Sequence, residues 1–208
     1  MKQAEKSLDR QPGKKSDKRS AVIQAALEII AEQGFHNSPT SLIAQRAQVG
    51  MGTIYRYFKS KDDLICAIFE ERFVGIRSFV LKDYKEDSPL RDRYQQLCSN
   101  LFAYMAANAT DYKFYEQYRN SPFGTQTQME RLLAFETAEE VTTYPFLMIF
   151  REGAEQGQIK PLPLAILAAL TFGPIFSLVG SDLHGGLTVG AKEVEMTVSA
   201  CWDAIAQR

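Results

Sequence analysis

Residues 40–64 read TSLIAQRAQVGMGTIYRYFKSKDDL, and the rest of the chain is understood from this stretch. Leu42, Ile43, Ala44 and Ala47 recur at helical spacing and give one short helix of barely two turns. Gln48-Val49-Gly50 must then turn the chain, and Gly52-Thr53-Ile54-Tyr55-Arg56-Tyr57-Phe58 gives a second short helix. Ile54 and Phe58 stand one turn apart and face inward, which leaves Thr53, Tyr55, Arg56 and Tyr57 outward. Ser60-Lys61-Asp62-Asp63 fits the Ser/Thr-x-x-Asp/Glu capping pattern and opens a longer helix through Leu64, Ile65, Ile68, Phe69, Phe73 and Ile76 to about Phe79.

Two short helices joined by a tight turn make a helix-turn-helix, whose second helix fits the width of a DNA major groove. Small residues at its start, Gly50, Gly52 and Thr53, let the backbone approach a sugar-phosphate rail. The hydroxyls of Tyr55 and Tyr57 can donate to phosphate oxygens, and Lys59 and Lys61 add charge at the helix exit. Arg56 can reach phosphate or guanine. The plainer alternative is an ordinary helical bundle in which Tyr55 and Tyr57 are half-buried core aromatics.

Upstream, Asp17 can cap a first helix with Val22, Ala25, Ala26, Ile29 and Ile30 on one face, stopped at Gly34 and followed by Phe35. Charge is divided unevenly. The chain as a whole has net charge -1, but residues 1–61 hold 11 Lys+Arg against 5 Asp+Glu (11 - 5 = +6) and residues 62–208 hold 13 against 20 (13 - 20 = -7). A polyanion is the natural partner of the basic end, with a solvated tail as the alternative. The 208 residues are 45% hydrophobic and 24% charged, which excludes a disordered or low-complexity chain and is enough to bury a core.

Downstream, apolar residues recur at three and four rather than at two, so the fold class is all-α. Helices are expected at about Ser88 to Asn108, Thr110 to Asn120, Thr127 to Thr142, Tyr144 to Gly157, Pro163 to Gly180 and Ala191 to Gln207. The organisation expected is a basic flexible arm at 1–16, a three-helix DNA-binding domain at 17–62, and a larger helical ligand-binding and dimerisation domain at 63–208.

The run from Thr40 to Leu64, together with Ala25 to Phe35, resembles the DNA-binding signature of the TetR family of bacterial transcriptional regulators. IleAla, GlyThrIleTyr, TyrPhe and SerLysAspAspLeu all fall at the family's spacing. The resemblance implies phosphate contacts by Thr40, Tyr55, Tyr57 and Lys61, and base or close backbone contacts by Met51, Gly52, Thr53 and Arg56. Two positions depart from the pattern. Gln48 stands where the family has its turn glycine, so a left-handed backbone there costs roughly 1 kcal/mol. Gly50 replaces a serine and loses a cap worth on the order of 1 kcal/mol.

The resemblance also implies a homodimer that binds a near-palindromic duplex operator and a ligand domain that varies between members. Leu164, Leu167, Ala168, Leu170, Thr171, Pro174, Ile175, Leu178 and Val179 nearly encircle their helix, which suits burial against core and partner together. Val194, Val198, Cys201, Trp202 and Ile205 on the last helix can complete a four-helix seam, or face an ordinary core. Aromatic residues crowd the middle of the chain, and Phe102, Tyr115, Tyr118, Phe123, Phe146, Phe150 and Phe172 form the candidate ligand pocket, for a small hydrophobic or aromatic effector. The function expected is a dimeric repressor released from its operator by that effector.

An enzyme needs a constellation, and none is encoded: GxSxG, HExxH, a P-loop and GxGxxG are missing, and His36 and His184 lack metal-ligand spacing. No cofactor or metal is expected. Cys66, Cys98 and Cys201 form no CxxC pair and are placed on apolar helical faces, consistent with a reducing cytoplasm. They also carry the rival reading, a thiol redox-sensing regulator; a helical adaptor that does not bind DNA is the other. Pro163 to Gly180 is too short and too interrupted to span a bilayer, so no membrane partner is expected.

Overall fold

The computed structural model describes residues 13–122, 124 and 144–207. Among these, nine helices account for the regular structure: α1 Gly13–Gln33, α2 Thr40–Arg46, α3 Met51–Tyr57, α4 Lys61–Val80, α5 Leu90–Ala107, α6 Ala109–Arg119, α7 Pro145–Glu155, α8 Leu164–Leu183 and α9 Ala191–Ile205. The expected helix Thr127 to Thr142 and the pocket residue Phe123 lie outside the described residues. α1 starts a turn earlier than Asp17, and α8 runs past Gly180 to Leu183. Contacts divide the chain into two units, Met1–Phe69 and Glu70–Arg208.

In the first unit the apolar spacing of α1 closes its core: Val22, Ala25, Ala26, Ile29 and Ile30 are all buried, and Ile43, Ala44, Ile54, Phe58, Leu64, Ile65 and Ile68 pack with them as buried residues. Each large aliphatic or aromatic side chain buried there contributes about 1.5–3 kcal/mol. Arg46 on α2 meets Glu28 and Glu32 on α1, each at 3.5 Å, on the surface, where such pairs add about 0–1 kcal/mol. Packing, not charge, therefore fixes the angle of α2 on α1.

In the second unit α5 is the central helix. Its face Leu90, Tyr94, Leu97, Cys98, Leu101 and Met105 is buried against α7, α8 and α9 through Ile149, Phe150, Leu167, Ile175, Val179, Val198 and Trp202. The Tyr94 ring lies 5.3 Å from that of Trp202, and its hydroxyl donates to Thr171 Oγ1 at 3.1 Å, so a buried polar group is paired. The Arg93 guanidinium grips the Glu152 carboxylate with two nitrogens and joins α5 to α7. α9 is tied down at its end: Lys160 donates its backbone N–H to Ile205 O at 2.8 Å, and Gln207 donates to Gln158 O at 2.8 Å, around an isolated antiparallel bridge of Ile159 with Ala206.

α8 is the helix among the described residues that is long and apolar enough to cross a membrane, and a third of its most apolar window is buried within the chain. Leu167, Thr171, Ile175, Phe176, Val179 and Gly180 form its buried face, whereas Ile166 is exposed. Among the described residues the expectation of a buried helix is thus met on one side, where α5 and α9 pack against it.

Candidate nucleic-acid interface

The turn between α2 and α3 is built by backbone chemistry. Gln48 donates to Gln45 O at 3.1 Å and Val49 to Ala44 O at 3.0 Å, the pair of bonds that closes a Schellman cap. That cap needs a left-handed residue after the helix, and Gln48 takes φ 53. α7 and α8 end with the same bond pattern, and there the left-handed residues are Gly157 (φ 65) and Gly185 (φ 71). Gln48 performs a glycine's task with a Cβ in the way.

α3 then begins at Gly50, which occupies the N-cap with φ -72 and no side-chain cap bond. Ile54 and Phe58 are buried at 2% and 4% exposure, while Tyr55 is 52% exposed. Met51, Gly52, Arg56 and Lys59 are exposed, and Thr40, Thr53, Tyr57 and Lys61 are half-buried. The bundle alternative has Tyr55 and Tyr57 as half-buried core aromatics; Tyr55 is exposed instead, whereas Tyr57 is half-buried. A Cβ built on Gly50 or Gly52 meets nothing within 4 Å among the described residues, so their packing requires neither glycine.

At the exit of α3 the polar groups are organised. Arg56 donates to the Tyr57 hydroxyl at 3.3 Å, and its guanidinium lies 5.1 Å from the centre of that ring. On the far side, the Arg19 guanidinium lies 5.4 Å from the centre of the Phe58 ring, a neighbour that the sequence did not reveal. α4 opens as its capping pattern requires: Asp63 donates its backbone N–H to Ser60 Oγ at 3.0 Å, and the Asp63 carboxylate accepts from Lys59 N at 3.0 Å. The Lys61 ammonium donates to Phe35 O, and partial burial lowers its pKa against the opposing pull of Asp62. With three donors, it keeps two for an external anion.

Among the described residues, the aromatic side chains of the expected pocket make these ring contacts. Phe146 and Phe172 meet edge to face at 4.8 Å, Tyr115 stacks on Phe176 at 4.6 Å, and Tyr118 stacks on Phe114 at 6.0 Å. Tyr118 and Phe150 are buried core residues. Phe102 lines a groove of about 410 Å³ between α5 and the start of α9, with Gln95, Ser99, Val189, Val194 and Glu195. That groove was not legible, because its α9 side is made by residues next to a loop rather than by an aromatic run.

The thiols separate into two kinds. Cys98 and Cys201 are buried, and burial pushes both above the ordinary thiol value, which disfavours the reactive thiolate. Cys66 is exposed, a correction to its placement on an apolar face: Leu64, Ile65, Ile68 and Phe69 form the buried stripe of α4, and residue 66 falls off it.

Comparison with known proteins agrees with this geometry. Residues 22–68 match the family described as bacterial regulatory proteins, tetR family, and residues 89–206 match the tetracyclin repressor-like C-terminal domain. The chain is 30% identical to the fatty acid metabolism regulator protein of Bacillus subtilis, over 77% of this chain and 81% of the relative. The fold is similar to a TetR family transcription regulator from Marinobacter aquaeolei (TM-score 0.79, 23% identity, covering 95% of this chain and 100% of that one). It is also similar to FadR from Bacillus subtilis, solved in complex with stearoyl-CoA (TM-score 0.65, 25% identity, covering 88% and 95%). The helix-turn-helix read from residues 40–64 and the all-helical unit that follows it are what these proteins share with the chain, which belongs to the TetR family of DNA-binding transcriptional regulators.

Proposed function

We propose that the chain is a cytoplasmic homodimeric repressor that holds a near-palindromic operator and leaves it when a small hydrophobic effector binds. The observation that carries the DNA side of this reading is Gly52. Glycine is a poorer helix former than alanine, and nothing among the described residues lies within 4 Å of where its Cβ would be. The missing side chain makes sense when an external body comes against the backbone, as a sugar-phosphate rail does. Thr40, Tyr55, Tyr57, Lys59 and Lys61 then contact phosphates, and Met51, Gly52, Thr53 and Arg56 lie along the groove.

Dimerisation is supported by what α8 and α9 leave uncovered: Ile166 is 44% exposed and Met196 62%. A two-fold dimer presents two copies of α3 about 34–36 Å apart, matching successive major grooves. The effector side is supported by the fatty-acid regulators among the relatives, which favour a long acyl chain as the hydrophobic group. Phe102, Tyr115, Phe146 and Phe172, half-buried against the core, with Tyr118, Phe123 and Phe150, remain its candidate contacts. An effector that prefers a conformation with different α3 spacing weakens DNA binding by its differential affinity, and α4, continuous from Lys61 to Val80, is the element to carry the change.

Two measurements test the reading. Gly52→Ala should raise thermal stability while lowering operator affinity at least tenfold; a variant that binds as well as the parent removes the argument from Gly52. Titrating long-chain acyl-CoA and aromatic acids into a gel shift should release the duplex with one of these classes, and an operator complex indifferent to every compound defeats the effector half.

A further inference from the structure

α5 presents two faces. Leu97, Cys98 and Leu101 go into the core, whereas Gln95, Ser99 and Phe102 line the groove of about 410 Å³ against the start of α9. Residues 95, 99 and 102 recur at four and three and so share one side of the helix. α9 supplies the opposite wall through Val194 and Val198, one turn apart, and through Glu195. Val198 is buried, and Phe102, Val189 and Val194 are half-buried, so hydrocarbon forms the floor. Around it stand the Gln95 amide, the Ser99 hydroxyl and the Glu195 carboxylate. Among the described residues no hydrogen bond or ion pair within the chain engages any of these three side chains. An apolar concavity of roughly 300 Å³ or more with a few convergent polar groups is the usual form of a small-molecule site.

Charge decides which kind of molecule suits it. The end of α9, where backbone N–H groups favour an anion, is already served by the chain itself: the Glu193 carboxylate accepts from Gly190 N at 3.0 Å. Glu195 is the charged side chain among the described residues that line the groove, and Lys192 on the same helix does not line it. A carboxylate only accepts hydrogen bonds, while an amide and a hydroxyl accept as well as donate. An ammonium group, which only donates, therefore satisfies all three polar groups at once.

We propose that the groove between α5 and α9 binds an amphipathic amine. Its ammonium lies against Glu195 with Gln95 and Ser99 beside it, and its aromatic or aliphatic body lies on Phe102, Val194 and Val198. The inference does not rest on the acyl-effector reading: of the aromatic contacts proposed for that effector, Phe102 alone among the described residues lines this groove.

The test uses the full chain at neutral pH and low salt with three molecules of one skeleton: naphthylmethylammonium, naphthylmethanol and naphthoate. Calorimetric titration of the parent should give the amine a Kd at or below about 1 mM, with the alcohol about fivefold weaker and the acid weaker still. Glu195→Gln should remove the preference for the amine over the alcohol. Ala103→Phe, which puts a ring into the groove from an exposed position, should abolish binding of both. Should that variant melt below the parent, Ala103→Leu takes its place. An amine that binds no better than the alcohol, or that binds Glu195→Gln as tightly as the parent, overturns the proposal. Binding unchanged by the substitution at Ala103 overturns it as well, since the amine then sits elsewhere. Failure of the amine to bind does the same, and if Ala103→Phe then turns a sedimenting dimer into monomers, the groove seats a second copy of the chain instead.

Discussion

Gln48 shows at the scale of one residue how a fold tolerates a local misfit. The Schellman bonds from Gln48 and Val49 impose φ 53 on a residue with a Cβ, a conformation that costs an L-residue roughly 1–2 kcal/mol. Gln48→Gly should therefore raise stability by about 1 kcal/mol, seen as a higher urea midpoint with an unchanged m value. An unchanged or lower midpoint would mean that the glutamine side chain makes a compensating contact. Glu152 gives a pH-dependent counterpart. The hydrogen bond from Arg93 holds its carboxyl below the ordinary 4.5, so the pair's contribution is complete above that value and is lost as the pH falls through the lower folded-state value. Glu152→Gln should be less stable than the parent at neutral pH, and the two acid-unfolding curves should converge once the pH has fallen below the lowered folded-state value. A constant gap down to pH 2 would assign the loss to shape rather than charge.

Among the elements, the short helices were the most legible. Ile54 and Phe58 one turn apart told which way α3 faces, and Ser60 with Asp63 told where α4 starts, because both signals are local. Ser60→Ala should remove the bond to Asp63 N and lower the melting temperature by a loss of about 1 kcal/mol, with Ser60→Asp restoring it. Contacts between elements distant in sequence were not legible. Nothing around Lys61 announces that its ammonium caps Phe35, and nothing around Arg93 announces Glu152, since the chain must fold before either pair meets. The aromatic residues of α5 to α8 illustrate the same limit. Residue type alone does not separate Phe102, which lines a groove, from Phe150, which fills the core.

For the whole molecule the uneven division of charge and the one-sided burial of α8 argue for a protein completed by partners. Ile166→Asp with Met196→Asp should leave each chain folded, convert the dimer to monomers in sedimentation and weaken operator binding by more than tenfold, since one α3 loses the help of the other. A dimer that survives both substitutions would move the seam elsewhere. Cys66 has a practical consequence of its own. It is exposed on α4 while Cys98 and Cys201 are sealed, so a maleimide added to the native protein modifies one position per chain. A dye attached there sits on the helix that follows α3, and engagement of a duplex can be followed by light emission with α3 itself unaltered.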